Sequence, residues 1–261
     1  MTASTTTLRD PDAVGQYASD RILDAIDAAG AANRRFLLGS PTGRTPKPIY
    51  AAMARRLSKT KQDLSHVTLV MMDEYLVGRG SDLRYAEAEW SCHTFVDAHI
   101  RAVLNASLPS DRHLRGDAVW FADVRDPSAF DRRIADAGGV DFFILASGAG
   151  DGHVAFNTPG SPRDSHTRIV ELPDSTRRDS LQTFPEFGTL DAVPRHGITV
   201  GVATIVAARH SMMVVFGSGK RQTYQRMTST DRYDPTWPAT LIHECPGGEI
   251  VADSDAAGPG Q

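Results

Sequence analysis

Cysteine is nearly absent: the chain has two, Cys92 and Cys245, far apart and outside any CxxC pattern. That argues against a disulfide framework or a structural zinc site, and makes a reducing compartment, the cytoplasm, the expected location. Long apolar runs are missing too, since none approaches the roughly 18–20 residues needed to cross a bilayer. The opening residues, MTASTTTLRD, carry no basic stretch followed by an apolar one, so no leader is expected. Nor is there an excess of positive charge. Lys and Arg number 28 against 32 Asp and Glu, a net charge of −4, which argues against nucleic acid or an anionic membrane surface as partner. No internal repeat or low-complexity block is present. What the chain does have is 261 residues, 41% of them apolar, enough for one large core.

Strand-like and helix-like stretches alternate. Apolar spacing predicts helices over 12–29, 46–57, 92–104 and 220–227. Short apolar runs predict buried strands at 35–39, 67–72, 142–145 and 212–216, with a last short strand at 250–252. The segment 198–207 continues the apolar middle of the chain. Strands separated by helices imply an α/β fold: a single Rossmann-like domain with a mostly parallel sheet flanked by helices on both faces. The expected division is an N-terminal tail over 1–10, the domain over 11–252 and a C-terminal tail over 253–261. Ligands of such sheets bind beyond the carboxyl ends of the strands. The polar stretches 79–88 and 159–166 are expected to be loops over that edge.

Polar segments follow the predicted strands. In Gly39-Ser40-Pro41-Thr42-Gly43-Arg44-Thr45-Pro46, backbone N–H groups and hydroxyls can converge on an anion at a helix start. It is not a Walker loop, because no Gly-Lys-Ser/Thr follows. Asp73 and Glu74 end the second strand. Asp73, directly after the apolar run, is the better general base, and a turn or N-cap acid is the plain alternative. Gly148-Ala149-Gly150-Asp151-Gly152-His153 sets an Asp two residues before a His, a spacing that suits an imidazole held in one tautomer by a carboxylate. A dinucleotide fingerprint fails, since His153 stands where the third glycine belongs. Asp151 and His153 lack an evident third ligand, so no metal is expected. In Phe216-Gly217-Ser218-Gly219-Lys220, Lys220 can meet a phosphate as a point charge, whereas Ser218 lies in no GxSxG elbow. The remaining histidines, such as His66, His99 and His113, read as surface or packing residues. Together these strand ends point to a small phosphorylated substrate and proton transfer, with no cofactor.

The order and spacing of LLGSPTGRTP, TLVMMDEYLV, SCHTF, GAGDGHVAFN, ITVGVATI and VVFGSGK resemble the glucosamine-6-phosphate deaminase/isomerase family, whose superfamily includes the 6-phosphogluconolactonases. The resemblance spans about 37–253. It implies a hydrolase/isomerase of amino sugar and carbohydrate metabolism that converts glucosamine 6-phosphate and water to fructose 6-phosphate and ammonia. Asp73 would match the base moving a proton between C2 and C1, and His153 the residue that opens the sugar ring, tuned by Asp151. Thr42, Gly43, Thr45 and Lys220 would match phosphate-cradle positions, with Gly39, Ser40 and Arg44 in the same segment. The sequence departs from that pattern at Thr158, where deaminases place a Glu that forms a relay with the His. It departs again at Gln182, where they carry a phosphate-binding Arg, with Arg177 or Arg178 as substitutes after a small shift. Ala207-Ala208-Arg209-His210 reads as much like a lactonase. The rivals are therefore a 6-phosphogluconolactonase and a non-catalytic sugar-phosphate-binding protein. The oligomeric state is left open, a homo-oligomer included.

Overall fold

The computed structural model describes residues 2–258. In chain order the strands are β1 (Ser4–Leu8), β2 (Phe36–Ser40), β3 (Val67–Met71), β4 (Asp73–Val77), β5 (Arg84–Tyr85), β6 (Val119–Trp120), β7 (Phe142–Ala146), β8 (Arg168–Glu171), β9 (His196–Thr199), β10 (His210–Val215) and β11 (Gly248–Asp253). The helices are α1 (Pro11–Ala31), α2 (Lys47–Thr60), α3 (Cys92–Phe95), α4 (Ala102–Asn105), α5 (Ser128–Asp136), α6 (Asp174–Thr183), α7 (Val202–Val206), α8 (Arg221–Thr228) and α9 (Ser254–Ala257).

A seven-stranded sheet in the order β1-β11-β10-β7-β2-β3-β6 is parallel throughout. Its central strands are continuous apolar runs because both faces are covered. Successive residues show this directly. Leu38, Leu69 and Ile144 pack into one core cluster with Ile22 of α1 and Met53 of α2. Leu37, Val70 and Phe143 face the other, with Phe130 of α5 and Tyr224 of α8. Helix α1 starts where expected: the Asp10 side chain accepts the Ala13 N–H at 2.8 Å and Pro11 occupies the first turn.

Strand β2 continues to β3 and β6 on one side, while β7 continues to β10 and β11 on the other. The connections diverge between β2 and β7, which opens a crevice at their carboxyl ends. These two strands share only the pairs Leu38 with Phe142 and Gly39 with Phe143. A Cβ on Gly39 would lie 1.8 Å from the Phe143 ring, so the ring lies across the space a side chain would fill.

Two expectations are corrected. The segment 1–10 is not simply a tail, because β1 adds to the sheet edge beside β11. Likewise β11 runs on to Asp253 and α9 follows, capped by the Asp253 side chain on the Ala256 N–H at 2.8 Å. A second, antiparallel sheet in the order β5-β4-β9-β8 was not foreseen. Its strands are short and half polar, β5 has only two residues, and β4 pairs with β9 from far along the chain, so periodicity does not announce them. No helix among the described residues is long and apolar enough to cross a membrane.

Gly39→Ala should cost about 1–3 kcal/mol, the usual penalty for overpacking a core, measured by urea unfolding. Phe143→Leu in the same chain should recover part of the loss. A neutral Gly39→Ala would mean that the ring is not held where it lies.

Candidate active site

A cleft of about 560 Å³ opens over the carboxyl ends of β2, β3, β7 and β10. It gathers Thr42, Gly43, Arg44 and Thr45 from the turn after β2, Asp73 from the start of β4, His153 from the turn after β7, and Lys220 from the start of α8. Gly39 and Ser40 do not line it. Both are strand residues inside the sheet, and Ser40 is fully buried.

Asp73 sits where the chain leaves β3 and enters the second sheet opposite Thr199. Strand alternation sends its side chain and that of Tyr75 into the cleft and Glu74 to the opposite face. Burial first, and then the charge of Glu74, push the Asp73 carboxyl up to about 7, while His153 and the Cys92 thiol hold it down. A carboxyl that exchanges its proton near neutrality is suited to carry one.

Asp151 lies behind His153 rather than in the cleft. Its Oδ1 meets the His153 Nδ1 at 2.6 Å and accepts the His153 backbone N–H at 3.1 Å. Its Oδ2 accepts the hydroxyls of Ser175 at 2.9 Å and Thr176 at 3.0 Å, from the first turn of α6. Burial works against its charge, but the hydrogen bond and charge of His153, followed by the Ser175 hydroxyl, prevail. The carboxyl stays well below the usual carboxylate range. An ionised carboxylate only accepts, so Nδ1 carries a hydrogen, and in the neutral imidazole Nε2 is then the acceptor. Gly148 makes room for the pair, since a Cβ there would stand 2.2 Å from the His153 Nδ1.

At the other end of the cleft, Lys220 donates to the Ser147 carbonyl. Burial lowers its pKa and the charge of Arg44 adds to this, while Asp179 and Asp151 oppose it. Its approach is set by Gly217, whose N–H donates to both carboxylate oxygens of Asp253, at 2.9 and 3.0 Å.

The structure also settles where the departures lie. Thr158 is outside the cleft, and Gln182 lines it without a charge. Arg177 is buried, its guanidinium spent on the carbonyls of Leu190 and Val193 and on Asp174. Arg178 is exposed and does not line the cleft.

Sequence reasoning missed Asp179, which lines the cleft and accepts the Ala149 N–H at 3.1 Å. Its carboxylate, that of Asp151 and the His153 ring offer ligand-type atoms all within 4.8 Å of one another. Asp151 is already engaged there by His153, Ser175 and Thr176. Nothing in the polar run Asp174–Thr183 distinguishes Asp179 from solvated neighbours. The stretches 79–88 and 159–166 do not line the cleft either.

The chain matches the sequence profile described as glucosamine-6-phosphate isomerases/6-phosphogluconolactonase over residues 9–251. It is 30% identical to a glucosamine-6-phosphate deaminase of Shouchella clausii, over 85% of each chain. It is 35% identical to one of Porphyromonas gingivalis, over 95% of this chain and 90% of that one. A solved structure of a monomeric glucosamine-6-phosphate deaminase superposes with a TM-score of 0.80 at 22% identity, covering 97% of this chain and 98% of that one. The 6-phosphogluconolactonase of Leishmania guyanensis gives 0.69 at 17% identity, covering 100% of both. These two structures share the fold.

The Asp73 carboxyl titrates near 7 in the fold against an ordinary value of 3.8. Between these values the folded chain keeps a proton that the unfolded chain has lost, so stability falls as pH rises through this window and levels off above it. Asp73→Asn removes that loss. The melting temperature of the variant, relative to the unsubstituted protein, should therefore rise by several degrees more at pH 8 than at pH 5. An equal difference at both pH values would place the Asp73 carboxyl in its ordinary range.

Proposed function

The chain belongs to the glucosamine-6-phosphate isomerase/6-phosphogluconolactonase family, and from that premise we propose that it converts glucosamine 6-phosphate and water to fructose 6-phosphate and ammonia. The observation that carries this reading is the placement of Asp73, a carboxyl that titrates near neutrality, in one cleft with a carboxylate-oriented imidazole and two cations. His153 takes the proton of the ring hydroxyl through Nε2 and returns it to the ring oxygen, giving the open aldehyde. Asp73 removes the proton from C2 and delivers it to C1, while the aldehyde oxygen takes a proton from the amino group, leaving a C1 hydroxyl and an imine at C2. Water adds to that imine and ammonia leaves, so the atoms balance without an oxidant or reductant.

Thr42, Gly43, Thr45 and Lys220 hold the phosphate. Arg44 supplies the second cation, which neither Gln182 nor Arg177 can provide. Asp151 acts through His153, holding its tautomer. A cytoplasmic setting agrees with two buried free thiols. Thr158, which brings no carboxylate to the cleft, is the feature that favours a non-catalytic sugar-phosphate sensor, whereas Ala207-Ala208-Arg209-His210 favours the lactonase, in which His153 would activate water against the lactone carbonyl.

Purified protein given glucosamine 6-phosphate should release ammonia and fructose 6-phosphate. Rapid opening of 6-phosphogluconolactone with no turnover of the amino sugar would overturn the proposal. Binding of sugar phosphates with turnover of neither substrate would leave a sensor. Asp73→Asn should lower kcat at least about 100-fold, the scale of a lost general base, with sugar-phosphate binding within a few-fold by calorimetry. Lys220→Met should instead raise KM about 10–100-fold, as expected for a lost charge-assisted contact to phosphate.

A further inference from the structure

Glu74 and Cys92 have no part in the chemistry above, yet both are built against Asp73. Glu74 has no exposed surface. Its Oε1 accepts the backbone N–H of Tyr75 at 2.8 Å and of Cys92 at 3.0 Å. Its Oε2 accepts the His93 N–H at 2.9 Å and meets the His93 Nδ1 at 2.5 Å. The His93 ring is itself stacked on Phe121 at a centroid distance of 3.5 Å. Backbone donors of this kind are what an ionised carboxylate accepts. They draw the start of α3 against β4, and this seats the Cys92 thiol, 1% exposed, between two groups of the cleft. Sγ lies 3.8 Å from the Asp73 Oδ1, to which it donates, and 3.4 Å from the Thr42 Oγ1 in the turn after β2.

We propose that Glu74 and Cys92 are a pair of positioning residues for Asp73. Glu74 anchors the start of α3 and sets a fixed buried charge beside the carboxyl, and the Cys92 thiol holds one carboxylate oxygen so that the other faces the substrate. The proposal rests on the reading of Asp73 as the proton carrier. The titratable groups facing Asp73 are Glu74 and Tyr75 on its own strand, Cys92 on α3 and His153 on the turn after β7. Beyond burial itself, Glu74 drives the Asp73 carboxyl up, whereas Cys92 and His153 pull it down. Removing the two members of the pair must therefore move Asp73 in opposite directions, which a general loosening of the site would not do.

The test is an NMR titration of the Asp73 carboxyl in protein labelled with ¹³C-aspartate, its signal identified by absence from Asp73→Asn, beside the pH profile of kcat/KM on glucosamine 6-phosphate. Cys92→Ala should raise the midpoint by about half a unit to one unit, move the acid limb of activity with it, and lower kcat about 3–10-fold with KM changed less than about twofold. Cys92→Ser, which keeps a donor, should restore both. Glu74→Gln should lower the midpoint by about one unit. Should that variant fail to fold, the two Cys92 variants carry the test. A midpoint unmoved in Cys92→Ala, or moved equally by Cys92→Ala and Cys92→Ser, overturns the proposal. If the unsubstituted protein turns over no amino sugar, the assigned reaction falls, while the NMR titration still decides the pairing.

Discussion

The contact between β2 and β7 is the constraint on which the rest depends. Two residue pairs join the halves of the main sheet there, and the chain turns away from them in opposite directions. Because the connections diverge, the turns after β2 and β7 cannot cover each other, and the space between them becomes the cleft. The phosphate-type turn, the Asp151–His153 pair and Asp73 on the continuation of β3 face one another only while those strands stay in register. Gly39 makes that register tight, since any side chain would drive the Phe143 ring away. A residue with no atom in the cleft therefore fixes the strand contact beneath it. Gly39 and Ser40 thus sit beside the 42–45 turn in sequence but beneath it in space.

Burial then acts on two aspartates with opposite results. Asp73 has few donors and a buried acid as its neighbour, so desolvation prevails and its proton is held up to about 7. Asp151 has an imidazole, a backbone N–H and two hydroxyls pointed at it, so its charge survives burial. One residue type thus yields an exchangeable proton at one position and a permanent charge at another, the separation that acid and base roles require. The net charge of −4 has little bearing on this. The groups that decide it are local: the buried Glu74 beside Asp73, and the donors gathered on Asp151.

Much of this was legible in advance, for identifiable reasons. Strands β2, β3, β7 and β10 are buried on both faces, so their sequences are plain apolar runs, and the chemistry-bearing residues follow them directly. Asp73, His153, Arg44 and Lys220 were singled out because strand ends in a parallel sheet are where ligands bind, and all four line the cleft, with Asp151 behind His153. Strand β1 was hidden in a threonine-rich segment that pairs only because β11 offers its edge. The sheet containing β4 was hidden because β4 starts with two acids and its partner β9 lies more than 100 residues away, beyond the reach of local patterning. Asp179 was hidden because a helical Asp among polar neighbours looks solvated until the fold turns it inward.

The anion end of the cleft gains its meaning from what Arg177 does. That guanidinium looks available in sequence, yet it is buried and holds the 190–193 turn against α6. Moving it to a ligand would leave those carbonyls unpaired, a cost of about 1–3 kcal/mol for each buried group. The cations that do line the cleft are Arg44 and Lys220, which stand on opposite sides of the β2–β7 contact. Between them runs the divide that creates the cleft. Asp179 helps Lys220 keep its charge against burial, so before a ligand arrives this end is already balanced by an internal carboxylate. This end thus presents two cations offset by a carboxylate rather than an excess of positive charge. The mildly acidic net charge therefore says little about the charges that face the cleft.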